Sequence, residues 1–375
     1  MKSKVAFLAV LGASIIALIF ALGSTQQAEI YFASPEKVSS QQDYTDKIEL
    51  IIKTLPLEKK IGQMMVVGFK NPYFDDHIKE MIDVYGVGGV NLLARNVNDR
   101  EGVIKMISDL KLHSEIPLFI ATDQEGGDYV RFKFLSELTP QMEIKSIEEA
   151  RRIAKRRGEE LCELGINMNF SPVIDYVNNP QAYLFKSKRV FEATPELIGK
   201  LGQAMIEGYR EADIIAVPKH FPGYGNGTLD PHTNFAVSSG GDEFEKWLVP
   251  FQYVIGQAHP EVLMTAHVVV KEIDDVPATL SPVFLIEILR GQLKYEGVII
   301  TDDLEMASTG DLPIGQLVIQ AINAGADMII STLTISKHKG IVEAVRQAVL
   351  ENKINEKRID ESLRRILKLK FERLN

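Results

Sequence analysis

The chain has 375 residues, 45% of them hydrophobic and 25% charged, which suits one large core and excludes a disordered or fibrous polymer. Its formal charge of −9, with no Lys/Arg block and no aromatic–basic interleaving, argues against nucleic acid as a partner. The single cysteine, Cys162, excludes an intrachain disulfide and has no metal-ligand spacing.

Residues 1–23 open with Lys2 and Lys4 and continue as an uncharged, mostly apolar run from Val5 to Leu22. Ala21-Leu22-Gly23 offers small residues for cleavage. The run is long for a signal peptide and just long enough to span a bilayer. Export is expected, periplasmic or extracellular, with a cleaved signal and an uncleaved membrane anchor through residues 5–22 both open. Residues 24–45 read as a flexible tether.

From residue 46 to 375 short apolar runs alternate with longer amphipathic ones. The short runs are Met64–Phe69, Val87–Leu93, Pro117–Thr122, Ile166–Val173, Ile214–Pro218, Val262–Val268, Gly297–Thr301 and Ala326–Ser331. They are rich in Val and Ile and bounded by Gly, Pro or Asp, as buried parallel strands are. Ile147–Leu164, Pro195–Ala212, Pro282–Leu293, Leu317–Ala324, Ile341–Leu350 and Glu356–Glu372 carry apolar residues at helical spacing. Cys162, inside the first of these, reads as a buried structural thiol. Eight strand–helix units predict a single-domain α/β fold, a (β/α)8 TIM barrel, with a doubly wound open sheet as the alternative.

A barrel gathers its reactive groups at the carboxyl ends of its strands. Thr122-Asp123-Gln124-Glu125-Gly126-Gly127 follows the third strand and Ser171-Pro172-Val173-Ile174-Asp175 the fourth. Lys219, His220 and the loop with Asp230 and His232 follow the fifth, Thr265-Ala266-His267 ends the sixth, and Thr301-Asp302-Asp303 ends the seventh. Asp230, two residues from His232, is placed to hold one ring nitrogen and leave the other for proton transfer. Asp302 and Asp303 admit two readings, a partly desolvated nucleophile or base and a helix cap. Asp123 and Glu125 suit substrate hydroxyls or a capped turn. Lys219 and His220 suit a polar ligand or structural hydrogen bonds. His267 reads as a satisfied core histidine, and His77, His113, His259 and His338 as surface. His220, His232, His267 and Asp302 invite a metal reading, but the Met64–Phe69 region lacks the close His-x-His pair of metal-dependent barrels, so no metal is expected. Gly223-Tyr224-Gly225-Asn226-Gly227 lacks a phosphate-loop pattern and reads as a mobile loop.

Seven motifs in order carry a resemblance. They are Asp123-Gln124-Glu125-Gly126-Gly127, Asn167 through Asp175, Arg189-Val190-Phe191, Lys219-His220-Phe221-Pro222-Gly223, Asp230-Pro231-His232, Pro277 through Ser281, and Thr301 through Met306. From about Leu55 to Ile366 the chain resembles the glycoside hydrolases of family 3, specifically the single-domain β-N-acetylglucosaminidases. The resemblance implies Asp302, not Asp303, as nucleophile and His232, oriented by Asp230, as general acid/base. It implies that Asp123, Arg189, Lys219 and His220 bind hydroxyls of the terminal sugar, with Asp175 supporting them. Three positions depart from the family's pattern: Tyr224-Gly225-Asn226 where His-Gly-Asp is usual, Asp128 where Arg is usual, and Pro231 where Ser is usual. They bear on which aglycone is preferred.

The expectation is an exo-acting retaining β-N-acetylhexosaminidase that removes terminal N-acetylglucosamine from cell-wall fragments or chitin-type oligosaccharides. It would need no cofactor and work as a monomer on an N-acetylglucosamine-containing glycan. The alternatives are a β-glucosidase-type hydrolase of the same family and a catalytically silent glycan-binding protein, with phosphorolysis as a minor variant.

Overall fold

The computed structural model describes residues 41–230, 236–238, 241–306, 309 and 312–374. The first half runs α1 (Gln41–Thr54), α2 (Leu57–Gln63), β1 (Met65–Val67), α3 (Asp76–Asp83), β2 (Gly89–Leu92), α4 (Arg100–Leu112), β3 (Phe119–Thr122), α5 (Ile147–Glu163), β4 (Met168–Asn169), α6 (Tyr183–Lys186), α7 (Pro195–Glu211) and β5 (Ile215–Ala216). The second half runs β6 (Ala236–Ser238), α8 (Phe244–Gln257), β7 (Val262–Thr265), β8 (Val268–Val270), a π-helical α9 (Val283–Gln292), β9 (Val298–Asp303), α10 (Ile314–Ala324), β10 (Met328–Ser331), α11 (His338–Leu350) and α12 (Glu356–Arg373).

Eight strands pair in parallel in the order β5-β4-β3-β2-β1-β10-β9-β7. Helices cover the outer face of the strands and the barrel interior buries the inner one, which is why the strand sequences are continuous Val/Ile/Leu runs rather than alternating ones. The two ends of the strand order meet beyond β5. There Phe221 N–H donates to the Met264 carbonyl at 2.8 Å and the Phe221 carbonyl accepts from Ala266 N–H at 2.7 Å. Lys219 and His220 therefore belong to the wall that nearly closes the barrel.

Helix starts follow local chemistry. Asp99 caps α4 by accepting from Gly102 N–H at 2.8 Å, and Ser146 caps α5 by accepting from Glu149 N–H at 3.1 Å. Thr194 caps α7, with Pro195 at its first position.

Several expectations need correction. The tether expected over 24–45 gives way to α1 at Gln41, where Tyr44, Ile48, Ile51 and Ile52 form an apolar stripe and the Tyr44 ring meets Phe371 of α12 at 5.7 Å. Residues 1–23, and the rest of the tether, lie outside the described residues. The fourth and fifth strands are shorter than their apolar runs, because Pro172 and Pro218 cannot donate to a ladder. The sixth ends at Thr265, and Val268–Val270 pairs instead with Ala236–Ser238 as a separate two-stranded sheet. Cys162 is exposed rather than buried: the inner stripe of α5 is Ala150, Ile153, Ala154, Arg157, Gly158 and Leu161, and Cys162 falls off it. His338 is fully buried rather than at the surface, its Nδ1 3.2 Å from His77 Nε2, and burial pushes its imidazole down to about 4. Among the described residues no helix is long and apolar enough to cross a membrane.

Candidate active site

Asp123 and Glu125 leave the end of β3 two residues apart. Glu125 accepts from Arg189 Nε at 2.7 Å, from Arg189 Nη2 at 2.8 Å and from Lys219 Nζ at 2.6 Å. Asp123 accepts from Lys219 Nζ at 3.0 Å and from Arg131 Nη2 at 3.2 Å. Burial alone would raise both carboxyls, but Arg189 and Lys219 outweigh it and hold Glu125 at about 2, while Lys219 and Arg131 hold Asp123 below its usual range. Burial opposes charge on Arg189 and Lys219 as well, and the two carboxylates overcome it and raise both. The Glu125 and Lys219 side chains are each 3% exposed and that of Asp123 is 18% exposed, so Glu125 anchors the cluster and Asp123 is its edge toward solvent.

The turn that places these carboxyls is built for close approach. Gly126 has φ +107°, and a Cβ there would lie 2.0 Å from the Thr139 carbonyl oxygen. Arg157, buried on α5, donates to the Glu125 carbonyl at 2.7 Å and to the Thr139 carbonyl at 2.8 Å, which locks the turn from below.

Asp175, fully buried beyond β4, organises the segment after β5. Its Oδ2 lies 2.9 Å from both the backbone nitrogen and the ring Nδ1 of His220, and its Oδ1 accepts from Tyr224 N–H at 2.8 Å. Arg189 Nη2 approaches the other ring nitrogen, Nε2, at 3.4 Å. A guanidinium only donates, so Nε2 is the acceptor there and Nδ1 carries the proton toward Asp175. The Tyr224 phenol oxygen accepts from His267 N–H at 3.3 Å. Burial first, and then the nearby Asp302 carboxylate, raise that phenol well above its ordinary range, so it stays protonated beside Asp302.

At the end of β9 the two adjacent carboxyls part ways. Asp303 bonds the Thr332 hydroxyl and accepts from Glu305 N–H at 3.0 Å, and burial pushes it up to about 7. Asp302 is half-buried, with Oδ1 accepting from Asp303 N–H at 2.8 Å. Neither acid caps a helix: Asp303 closes a turn after β9, and the next described helix, α10, follows Pro313. His267 is a core histidine as expected, its Nδ1 3.0 Å from Thr279 Oγ1 and its Nε2 3.0 Å from the Asp303 carbonyl.

The fold thus gathers Asp123, Arg189, Lys219 and His220 in one ion network, and Tyr224, its ring 5.1 Å from that of His220, lies close enough to feel the Asp302 charge. Asp230 is half-buried and lies near Tyr183, whose phenol its charge helps to raise. His232 and Pro231 lie outside the described residues. Of the glycine-rich segment expected to be a mobile loop, Gly223 to Gly225 are buried, and a Cβ on Gly225 would lie 2.3 Å from the Trp247 indole, while Asn226 and Gly227 are half-buried. Among the described residues no three His, Cys, Asp or Glu side chains gather as a metal site. The anchoring by Glu125, the reach of Arg131 to Asp123 and the place of Tyr224 were not foreseen. Only the spacing of Asp123 and Glu125 hinted at the first, since residues two apart leave a strand on one side.

Residues 56–369 match the family model described as the glycosyl hydrolase family 3 N terminal domain. The chain is similar to Beta-hexosaminidase A of Pseudoalteromonas piscicida, 32% identical over 328 residues that cover 78% of this chain and 54% of that protein. It is similar to the Beta-hexosaminidase of Hydrogenovibrio crunogenus, 33% identical over 296 residues covering 73% of this chain and 81% of that one. Among solved structures, a family 3 beta-N-acetylglucosaminidase from Paenibacillus sp. superposes with TM-score 0.82 at 33% identity, covering 85% of this chain and 63% of that one. The Beta-N-acetylhexosaminidase from Beutenbergia cavernae superposes with TM-score 0.78 at 27% identity, covering 84% and 99%. The chain therefore spans little more than half of the Pseudoalteromonas protein and less than two thirds of the Paenibacillus one.

Proposed function

The chain belongs to glycosyl hydrolase family 3, and from that membership we propose that it is an exo-acting retaining β-N-acetylhexosaminidase. The observation that carries the proposal is the division of labour at the end of β9. Asp303 is taken up by Thr332 and Glu305, while Asp302 stays half-exposed near a protonated Tyr224. The beta-hexosaminidase and beta-N-acetylglucosaminidase names of its relatives support the N-acetyl substrate.

In the first displacement a carboxylate oxygen of Asp302 bonds to the anomeric carbon as the bond to the leaving oxygen breaks. The His232 imidazolium passes its proton to that oxygen. In the second, water attacks the anomeric carbon and gives a proton to the neutral His232. The bond to Asp302 breaks and configuration is retained. Asp230 orients His232, and Asp123, Arg189, Lys219 and His220 hold the hydroxyls of the terminal N-acetylglucosamine. The substrates proposed are cell-wall fragments or chitin-type oligosaccharides, met outside the cytoplasm after export through residues 1–23.

The test compares p-nitrophenyl β-N-acetylglucosaminide with the β-glucoside, on protein lacking residues 1–23, alongside Asp302→Ala. Turnover of the N-acetyl substrate that disappears in a folded Asp302→Ala variant is the expected result. Turnover of the glucoside instead would move the protein to the β-glucosidase type. Binding of N-acetylglucosamine without any turnover would make it a silent glycan binder.

A further inference from the structure

We propose that Tyr129 and Tyr183 form a hydroxyl bridge that positions the loop bearing Asp230 against the Arg189 ion network, so that both are positioning residues for the acid/base half of the reaction. The inference rests on the reading of the site given above and adds two residues to it.

Tyr129 is fixed from its backbone outward. Its carbonyl accepts from Glu125 N–H at 2.9 Å and from Gly126 N–H at 3.3 Å, and its own N–H donates to the Gly126 carbonyl at 3.1 Å. Its ring lies 4.4 Å from the Arg189 guanidinium carbon, the same guanidinium that grips Glu125 with two hydrogen bonds. The Tyr129 hydroxyl lies 2.6 Å from the Tyr183 hydroxyl. Tyr183 opens α6, and its N–H donates at 2.9 Å to the carbonyl of Gly227, three residues before Asp230. A second tie holds the same loop: Asn226 Oδ1 accepts from Asn178 N–H at 3.1 Å and Asn179 N–H at 3.0 Å. A chain of contacts thus runs from Glu125 and Arg189 through two phenols to the backbone beside Asp230. Burial, the Tyr129 hydroxyl and the Asp230 carboxylate all raise the Tyr183 phenol, so Tyr183 keeps its proton wherever the enzyme works.

The bridge has a mechanical meaning. Asp123, Lys219 and His220 sit beyond strand ends, and the Arg189 guanidinium is held by its two bonds to Glu125, none of which the bridging hydroxyls supply. Asp230, which orients the proton donor His232, sits at the far end of a loop, and a proton donor misplaced by an ångström loses much of its effect. Tyr129→Phe or Tyr183→Phe removes one hydroxyl and leaves both rings, the stacking on Arg189 and the Tyr183 N–H bond in place.

The experiment uses Tyr129→Phe, Tyr183→Phe, the double variant and Tyr73→Phe, an exposed tyrosine elsewhere, as control. Each is assayed on a phenyl and a 2,4-dinitrophenyl β-N-acetylglucosaminide, which differ in their need for a proton on the leaving oxygen. Each bridge variant should lose on the order of tenfold in kcat on the phenyl substrate and less than about twofold on the dinitrophenyl one, with KM little changed. The double variant should fall by clearly less than the product of the two single losses, since the Tyr129–Tyr183 bond is missing in all three. Trp247, the only tryptophan, packs against Gly225 of this loop, so its quenching by acrylamide should rise in both bridge variants and not in Tyr73→Phe. Equal losses on both substrates, multiplying losses in the double variant, or unchanged rates with unchanged quenching would each overturn the bridge. If the parent protein hydrolyses neither N-acetylglucosaminide, the proposed function falls, and the Trp247 quenching alone decides for or against the bridge.

Discussion

The Asp303 carboxyl is pushed up to about 7 by burial, against an ordinary value of 3.8. Between those two values the folded chain keeps a proton that the unfolded chain has released, so this group makes stability fall as pH rises through that window. Asp303→Asn mimics the protonated form and still accepts from Glu305 N–H. Its thermal midpoint, measured relative to the parent protein, should therefore climb from pH 4 to pH 8, and parallel curves would remove the desolvated-carboxyl account. Glu125 is the opposite case, an ionised carboxylate on which two buried cations depend. Glu125→Gln keeps the shape but leaves Arg189 and Lys219 facing Asp123 alone, and should cost about 3–5 kcal/mol in urea denaturation. A loss under about 1 kcal/mol would mean that water enters and screens the cluster. The motif spacing made Asp123 visible as a ligand candidate. It did not reveal that Glu125 carries the cluster, because burial is a property of what packs around a residue.

The helices α5 and α7 cross where neither tolerates a side chain. A Cβ on Gly208 would lie 2.3 Å from the Arg151 carbonyl oxygen, and one on Gly158 would lie 2.7 Å from the Ala212 Cβ. Gly208→Ala gains helix propensity but must push two helix backbones apart, and should destabilise by about 1–3 kcal/mol. Gly340, on the exposed side of α11, would meet nothing within 4 Å. Gly340→Ala should stabilise by up to about 1 kcal/mol, since only the unfolded chain loses freedom. Chemical denaturation of the two variants side by side checks this, and the same sign for both would contradict the packing argument. Helical periodicity found α5, α7 and α12 within a residue or so because each has a long one-sided stripe. It passed over α1 to α4, α6 and α8; α2, α3 and α6 are too short to show a period, and the other three lie beside apolar strand runs or polar leaders that blur it.

At the scale of the molecule, α12 fastens the end of the barrel away from the site. Lys370 is fully buried there, its Nζ donating to Gln63 Oε1 at 2.8 Å and to the Gly88 carbonyl at 2.9 Å, in front of β1 and β2. Burial lowers its amine well below 10.5, and a neutral amine has the two N–H groups that these acceptors use. Below 10.5 and above the lowered value the unfolded chain binds one more proton, so this group adds stability as pH rises. The stability of the parent protein relative to Lys370→Met should therefore increase from pH 7 to pH 10, and a flat difference would show a charged lysine. The eight parallel strands and the barrel class were legible in the amino-acid order, because buried strands must be apolar throughout and reactive residues follow them at fixed offsets, and the seven ordered motifs carried the family resemblance. Folding alone settles which acid is masked and which is left open, that Phe221 nearly closes the barrel, and that Glu125, Tyr129, Tyr183 and Tyr224 tie segments of different motifs together. Those outcomes depend on distances between segments remote in the chain, and local spacing carries no record of them.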